Sequence, residues 1–90
     1  MPGRFRPRPG LRVEALGAAW VAYCPATGDT QLLNDAAAAV VELVAEDPDA
    51  SLEALTDSLA RETEVDPASL LPVVEETLSN LRDMGLLVAS

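Results

Sequence analysis

The spacing of apolar residues changes at Asn34, and this change restricts the fold more than any other feature of the 90-residue sequence. Before Asn34, apolar and charged residues alternate over residues 11–15, and "AAWVAYCP" is rich in aromatic and β-branched residues, both typical of strands. After Asn34, apolar residues recur three or four positions apart, which is typical of helices. Strands followed by helices in a chain of this length predict a single α+β domain.

Three strands are predicted first, joined by turns. Residues 11–15 form the first strand, and Gly17 allows a turn into the second, which Pro25 closes because proline cannot donate to a continuing ladder. The third strand, "DTQLL", follows directly after Ala26-Thr27-Gly28, where Gly28 can take a positive φ without steric penalty. The second and third strands are therefore expected to form a hairpin.

Three helices are predicted after the strands. Asn34 or Asp35 can cap the first helix, which should end near "AEDPD", and Ser51 can cap the second. Asp66-Pro67 is typical of the start of a third helix, but Pro72 would strike the preceding turn if that helix were continuous.

We therefore expect a short turn over residues 67–70 and a main third helix from about Pro72 to Met84. Gly85 should end this helix, and "LLV" can form a short final strand. The predicted architecture is winged-helix-like, with a three-stranded antiparallel sheet followed by three helices that cover one sheet face.

Composition and charge change along the chain. "MPGRFRPRPG" has three prolines and two glycines, so we expect a flexible Arg/Pro-rich arm over residues 1–10 and the folded domain over 11–90. Beyond residue 12, two arginines and fifteen acids give a net charge of −13, which disfavours nucleic acid as a partner. No apolar run approaches the roughly 20 residues that span a bilayer, so we expect a cytoplasmic protein without a membrane partner.

The residue types argue against catalysis. Histidine and lysine are absent, so no base of either type is available to activate a hydroxyl or the single Cys24. "TGDT" lacks the lysine of a phosphate loop, and "EDPDASLE" lacks the central glycine of a calcium loop. We therefore predict no enzymatic activity, catalytic residue, cofactor or metal site. The edges of a three-stranded sheet can accept an extended peptide or be covered by loops, and the residues alone leave both open.

The segment "WVAYCPATGDTQLLNDAAAAVVELV", followed by a Leu-rich helix and "LSNLRDMGLL", resembles the PqqD family of peptide chaperones, also called RiPP recognition elements. The matching parts follow the family order over residues 11–88. The pattern "W..Y.P.TG.T.LLN" is most similar to the PqqD-type proteins associated with an HPr-kinase-related system.

This resemblance implies a protein that binds a precursor's leader peptide as an antiparallel strand and presents it to a modifying enzyme, either a radical SAM or an HPr-kinase-related protein. The peptide-binding edge would be Asp29, Thr30, Gln31, Leu32 and Leu33. Leu33 would enter the core, leaving Leu32 and Thr30 on the other face. The helix wall of the groove would come from Leu71, Glu75, Leu78, Ser79 and Arg82.

Two other functions are compatible with the predicted fold. A winged-helix DNA-binding protein is disfavoured because Glu75, Glu76 and Asp83 outnumber Arg82 on the third helix. A structural subunit of a larger enzyme would bury the same strand edge permanently. The Arg-rich arm could fold back over the acidic body and occupy the groove that a leader peptide needs.

Overall fold

The computed structural model describes residues 4–25 and 28–89. Strands β2, β3 and β4 form an antiparallel sheet in that order, and β1 pairs with β5 in a separate two-stranded sheet. The predicted α+β architecture, a three-stranded antiparallel sheet followed by three helices, is confirmed. The elements in chain order are β1 (Phe5–Pro7), β2 (Arg12–Leu16), β3 (Ala19–Cys24), β4 (Asp29–Leu33), α1 (Asp35–Glu46), α2 (Leu52–Thr63), α3 (Pro67–Asp83) and β5 (Leu87–Ala89).

The hairpin between β3 and β4 is also confirmed. Trp20 pairs with Leu33 at one end of the ladder, and Cys24 pairs with Asp29 at the other. Gly28 has a φ of 75° and donates its N–H to the Cys24 carbonyl at 2.8 Å, closing the turn. Ala26 and Thr27, which belong to the predicted turn, lie outside the described residues.

The first two helices begin where the sequence predicts. The Asn34 side-chain oxygen accepts a hydrogen bond from the Ala37 N–H at 2.8 Å, and the Ser51 hydroxyl accepts one from the Ala54 N–H at 3.1 Å. Each cap satisfies an N–H group that has no partner within the helix. The apolar stripes of the three helices form one core with the inner face of the sheet, and its helical members include Val40, Val41, Val44, Leu55, Leu59, Val74, Leu78 and Leu81.

Helix α3 is continuous from Pro67 to Asp83, so the expected break before Pro72 is wrong. Asp66 caps the helix by accepting a hydrogen bond from the Ala68 N–H at 3.1 Å. Pro72 removes the N–H that would bond to the Ala68 carbonyl, but both residues are exposed. Water can bond to that carbonyl, which lowers the cost of proline at this position.

The N-terminal segment corrects a second expectation, since Phe5–Pro7 form a strand and not part of a flexible arm. Strand β1 pairs antiparallel with β5, opposing Phe5 to Ala89 and Pro7 to Leu87. The Phe5 side chain is only 7% exposed and belongs to the core. The prolines and arginines around Phe5 resemble a linker in composition, but burial of one aromatic ring and pairing of the backbone order the strand.

Three arginines hold this segment in place. Arg4 donates to the Asp49 carbonyl, and Arg6 forms an ion pair with the Asp49 carboxylate at 2.5 Å. The hydrogen bond and the charge of Asp49 raise the pKa of the Arg6 guanidinium. Arg8 donates through Nε to the Gly85 carbonyl at 2.7 Å. The Asp49 contacts tie the segment to the connection between α1 and α2, and the Arg8 contact ties it to the residues before β5, so the described part of the arm does not lie over β4.

Candidate functional site

Strand β4 forms one edge of the three-stranded sheet. Within residues 4–25 and 28–89, β4 pairs with β3 on one side and with no strand on the other. Such an edge presents backbone N–H and C=O groups that can pair with an added strand. Among the described residues, the opposite edge, β2, also pairs with one strand only. We take the β4 edge as the candidate for an incoming peptide because β4 also borders a depression on α3.

The side chains of β4 alternate between the two sheet faces as predicted. Leu33 is 6% exposed and packs in the core, whereas Leu32 is 71% exposed on the outer face, which it shares with Thr30. Gln31 faces the helices, and its Nε2 donates to the Met84 carbonyl at 3.1 Å. This hydrogen bond ties the middle of β4 to the C-terminal end of α3.

A depression of about 180 Å³ lies between the end of β4 and α3. From α3, Thr77, Asn80 and Met84 line it, and none of its lining residues is charged. Val73, which is 47% exposed, continues this flank by one turn because it precedes Thr77 by four residues. The other lining residues are Leu32, Leu33, Asn34, Ala37 and Leu81. We call this depression together with the free edge of β4 the β4 groove.

The helix wall of the groove differs from the wall expected from the sequence. Leu78 is buried in the core, and Leu71, Glu75, Ser79 and Arg82 do not line the depression. Helical spacing places these four residues on the opposite flank of the stripe that enters the core. A buried stripe has two flanks, and its spacing alone does not say which one faces β4. The absence of charge on Thr77, Asn80 and Met84 is the sequence signal that distinguishes the flank beside β4 from the flank with Glu75 and Arg82.

The outer face of the sheet continues the apolar surface of β4. Leu32 pairs with Val21 in the β3–β4 ladder, and Tyr23 on the same face is 42% exposed. Leu16 at the end of β2 is 66% exposed. An extended peptide beside β4 would therefore place alternate side chains in the depression and beside Leu32.

The charges on α3 bear on the DNA-binding alternative. Glu75, Glu76 and Asp83 are exposed on this helix, and its one arginine, Arg82, forms an ion pair with Asp83 at 3.4 Å. Because α3 carries three exposed acidic residues and one paired arginine, the phosphates that line the major groove of DNA would repel it. Among the helices of the described ranges, none has both the length and the apolar character needed to cross a membrane.

The chain matches a family model described as coenzyme PQQ synthesis protein D (PqqD) over residues 19–87. The matched range begins with β3 and includes β4 and all three helices, so both sides of the β4 groove lie within it. A search of curated proteins finds no match to the chain.

Three solved structures share this fold. Lasso peptide synthetase B1 complexed with the leader peptide is 24% identical with a TM-score of 0.74, covering 94% of this chain and 98% of that one. The PqqD truncation of Methylobacterium extorquens PqqCD, a stand-alone RiPP recognition element, is 24% identical with a TM-score of 0.75, covering 94% and 88%. TbiB1 in complex with the TbiA(beta) leader peptide is 18% identical with a TM-score of 0.73, covering 91% and 93%.

Proposed function

Because the chain belongs to the PqqD family, we propose that it binds the leader peptide of a precursor by strand addition to β4 and presents it to a modifying enzyme. The observation that carries the proposal is the free edge of β4 beside an uncharged depression under α3. Two of the structurally similar proteins are complexes with leader peptides, which supports a leader peptide as the ligand.

Strand addition divides affinity and selectivity between backbone and side chains. Backbone hydrogen bonds to β4 require little of the peptide sequence, so they supply affinity for many extended peptides. Alternate peptide side chains point towards the helices, where the depression selects by shape and polarity. The chain itself then acts as an adaptor without catalysis.

We also propose which class of modifying enzyme receives the bound peptide from this chain. The pattern around Trp20 and Thr27-Gly28 is most similar to PqqD-type proteins of HPr-kinase-related systems. We expect the partner to be an HPr-kinase-related protein or a radical SAM enzyme encoded beside this chain. Co-purification of the chain with each neighbouring enzyme, with and without the precursor, distinguishes these two partners.

Strand addition can be tested by an amide chemical-shift titration of the ¹⁵N-labelled full chain with the precursor peptide encoded beside it. We expect the largest shifts in residues 29–33 and in the flank formed by Thr77, Asn80 and Met84. Binding that left these amides unchanged would refute strand addition to β4. Permanent burial of β4 in an enzyme complex, with no response to the peptide, would favour the structural-subunit alternative.

Two tryptophan substitutions on α3 provide a matched pair for the same assay. Asn80 and Glu75 are both exposed, but only Asn80 lines the depression. Asn80→Trp should fill the depression and weaken peptide binding at least tenfold, whereas Glu75→Trp on the other flank should leave affinity within about twofold. Equal effects of the two substitutions would place the binding surface elsewhere.

A further inference from the structure

The β4 groove changes in charge along the strand. At the Leu33 end it contains the depression, whose lining is uncharged. At the other end, Asp29 is exposed at the first position of β4. A bound peptide therefore meets an uncharged pocket, lined by five apolar and three polar residues, at one end and the exposed Asp29 at the other.

The strand register fixes the distance between these two features. Leu33, Gln31 and Asp29 share the helix-facing side of β4 because strand side chains alternate. In an antiparallel peptide strand, the residue opposite Asp29 comes four positions after the residue opposite Leu33. Directly opposed side chains have Cβ atoms about 4.5–5.5 Å apart, so each peptide residue contacts its own partner on β4.

On the basis of the proposed function, we infer that the bound peptide carries an aliphatic residue followed four positions later by lysine or arginine. The aliphatic side chain packs in the depression, where a charged group would lose solvation without an oppositely charged partner. The basic side chain lies opposite Asp29, where an acidic residue would be repelled. The net charge of −13 after residue 12 adds a weaker attraction for basic peptides that does not depend on register.

Capped ten-residue peptides separate the register-specific attraction from the general one. All carry leucine at position 3 in a Thr/Val/Ser host; position 7 is lysine, glutamine or glutamate, and a fourth peptide moves the lysine to position 8. Affinities for the full chain come from ¹⁵N amide titrations at low ionic strength. The position-7 lysine peptide should bind about two- to fivefold tighter than the glutamine peptide, and the glutamate peptide weaker by a similar factor.

Asp29→Asn should remove the preference for lysine at position 7, while the matched control Asp57→Asn, at an exposed position of α2, should retain it. The lysine at position 8 points to the outer face, away from Asp29. The peptide that carries it should therefore bind slightly tighter than the glutamine peptide, and by the same factor in Asp29→Asn as in Asp57→Asn. A preference at position 7 that survives Asp29→Asn, or equal affinities for lysine and glutamate, overturns the inferred motif but leaves strand addition intact. If no peptide shifts the β4 amides at millimolar concentration, strand addition fails and the motif fails with it.

Discussion

Replacing Phe5 by alanine tests whether the N-terminal segment belongs to the folded domain. Phe5 is 7% exposed in the core, although it is near the start of the chain and surrounded by prolines and arginines. A buried phenylalanine removes at least about 150 Å² from water, which corresponds to about 4 kcal/mol at 25 cal/mol per Å². Alanine retains part of that area, so we expect Phe5→Ala to lower the free energy of unfolding by about 3 kcal/mol.

Urea denaturation followed by far-UV circular dichroism measures this loss. With a dependence of about 1 kcal/mol per molar urea for a small domain, the midpoint should fall by about 3 M. Val88→Ala is the control, because Val88 lies in the partner strand β5 but is 40% exposed, and its truncation should cost less than about 1 kcal/mol. A Phe5→Ala variant within about 0.5 kcal/mol of the parent chain would show that β1 contributes little and that the flexible-arm expectation holds.

Four further substitutions test the fold around the groove in the same assay. Leu33→Ala should cost about 3 kcal/mol while Leu32→Ala stays within about 0.5 kcal/mol, and similar costs would contradict the facing of β4. Pro72→Ala should raise the free energy of unfolding by about 1 kcal/mol, because it restores a hydrogen bond to the Ala68 carbonyl; a lower midpoint would contradict this account of α3. Asn34→Ala should lower it by about 1 kcal/mol through loss of the α1 cap, and an unchanged midpoint would argue against that cap.

The elements that the sequence predicted correctly are those with a local signal. Alternation over β2 and the β-rich composition of β3 depend only on neighbouring residues, as do the caps at Asn34 and Ser51. The burial of Leu33 and exposure of Leu32 follow once β4 is assigned, because side chains of a strand must alternate. These elements can therefore be predicted without knowing which other elements pack against them.

The features that the sequence predicted wrongly or left undecided involve partners that are distant in sequence or solvent that the sequence does not show. Strand β1 forms by pairing with β5, where Phe5 opposes Ala89. The composition of residues 1–10 does not indicate that pairing. The cost of Pro72 depends on whether water reaches the Ala68 carbonyl, which is a property of the folded surface. The flank of α3 that faces β4 depends on how the helix packs, so the wall of the groove required the tertiary structure.

The two-stranded sheet and the β4 groove meet at the C-terminal end of α3. Arg8 bonds to the carbonyls of Gly85 and Leu86, through Nε at 2.7 Å and through its backbone N–H at 3.0 Å. Gln31 on β4 bonds to the carbonyl of Met84, the residue directly before them. Three successive carbonyls are thus held by β4 on one side and by the N-terminal segment on the other. Because Met84 also lines the depression, the segment that the sequence assigned to a flexible arm helps to fix the wall against which a peptide would pack.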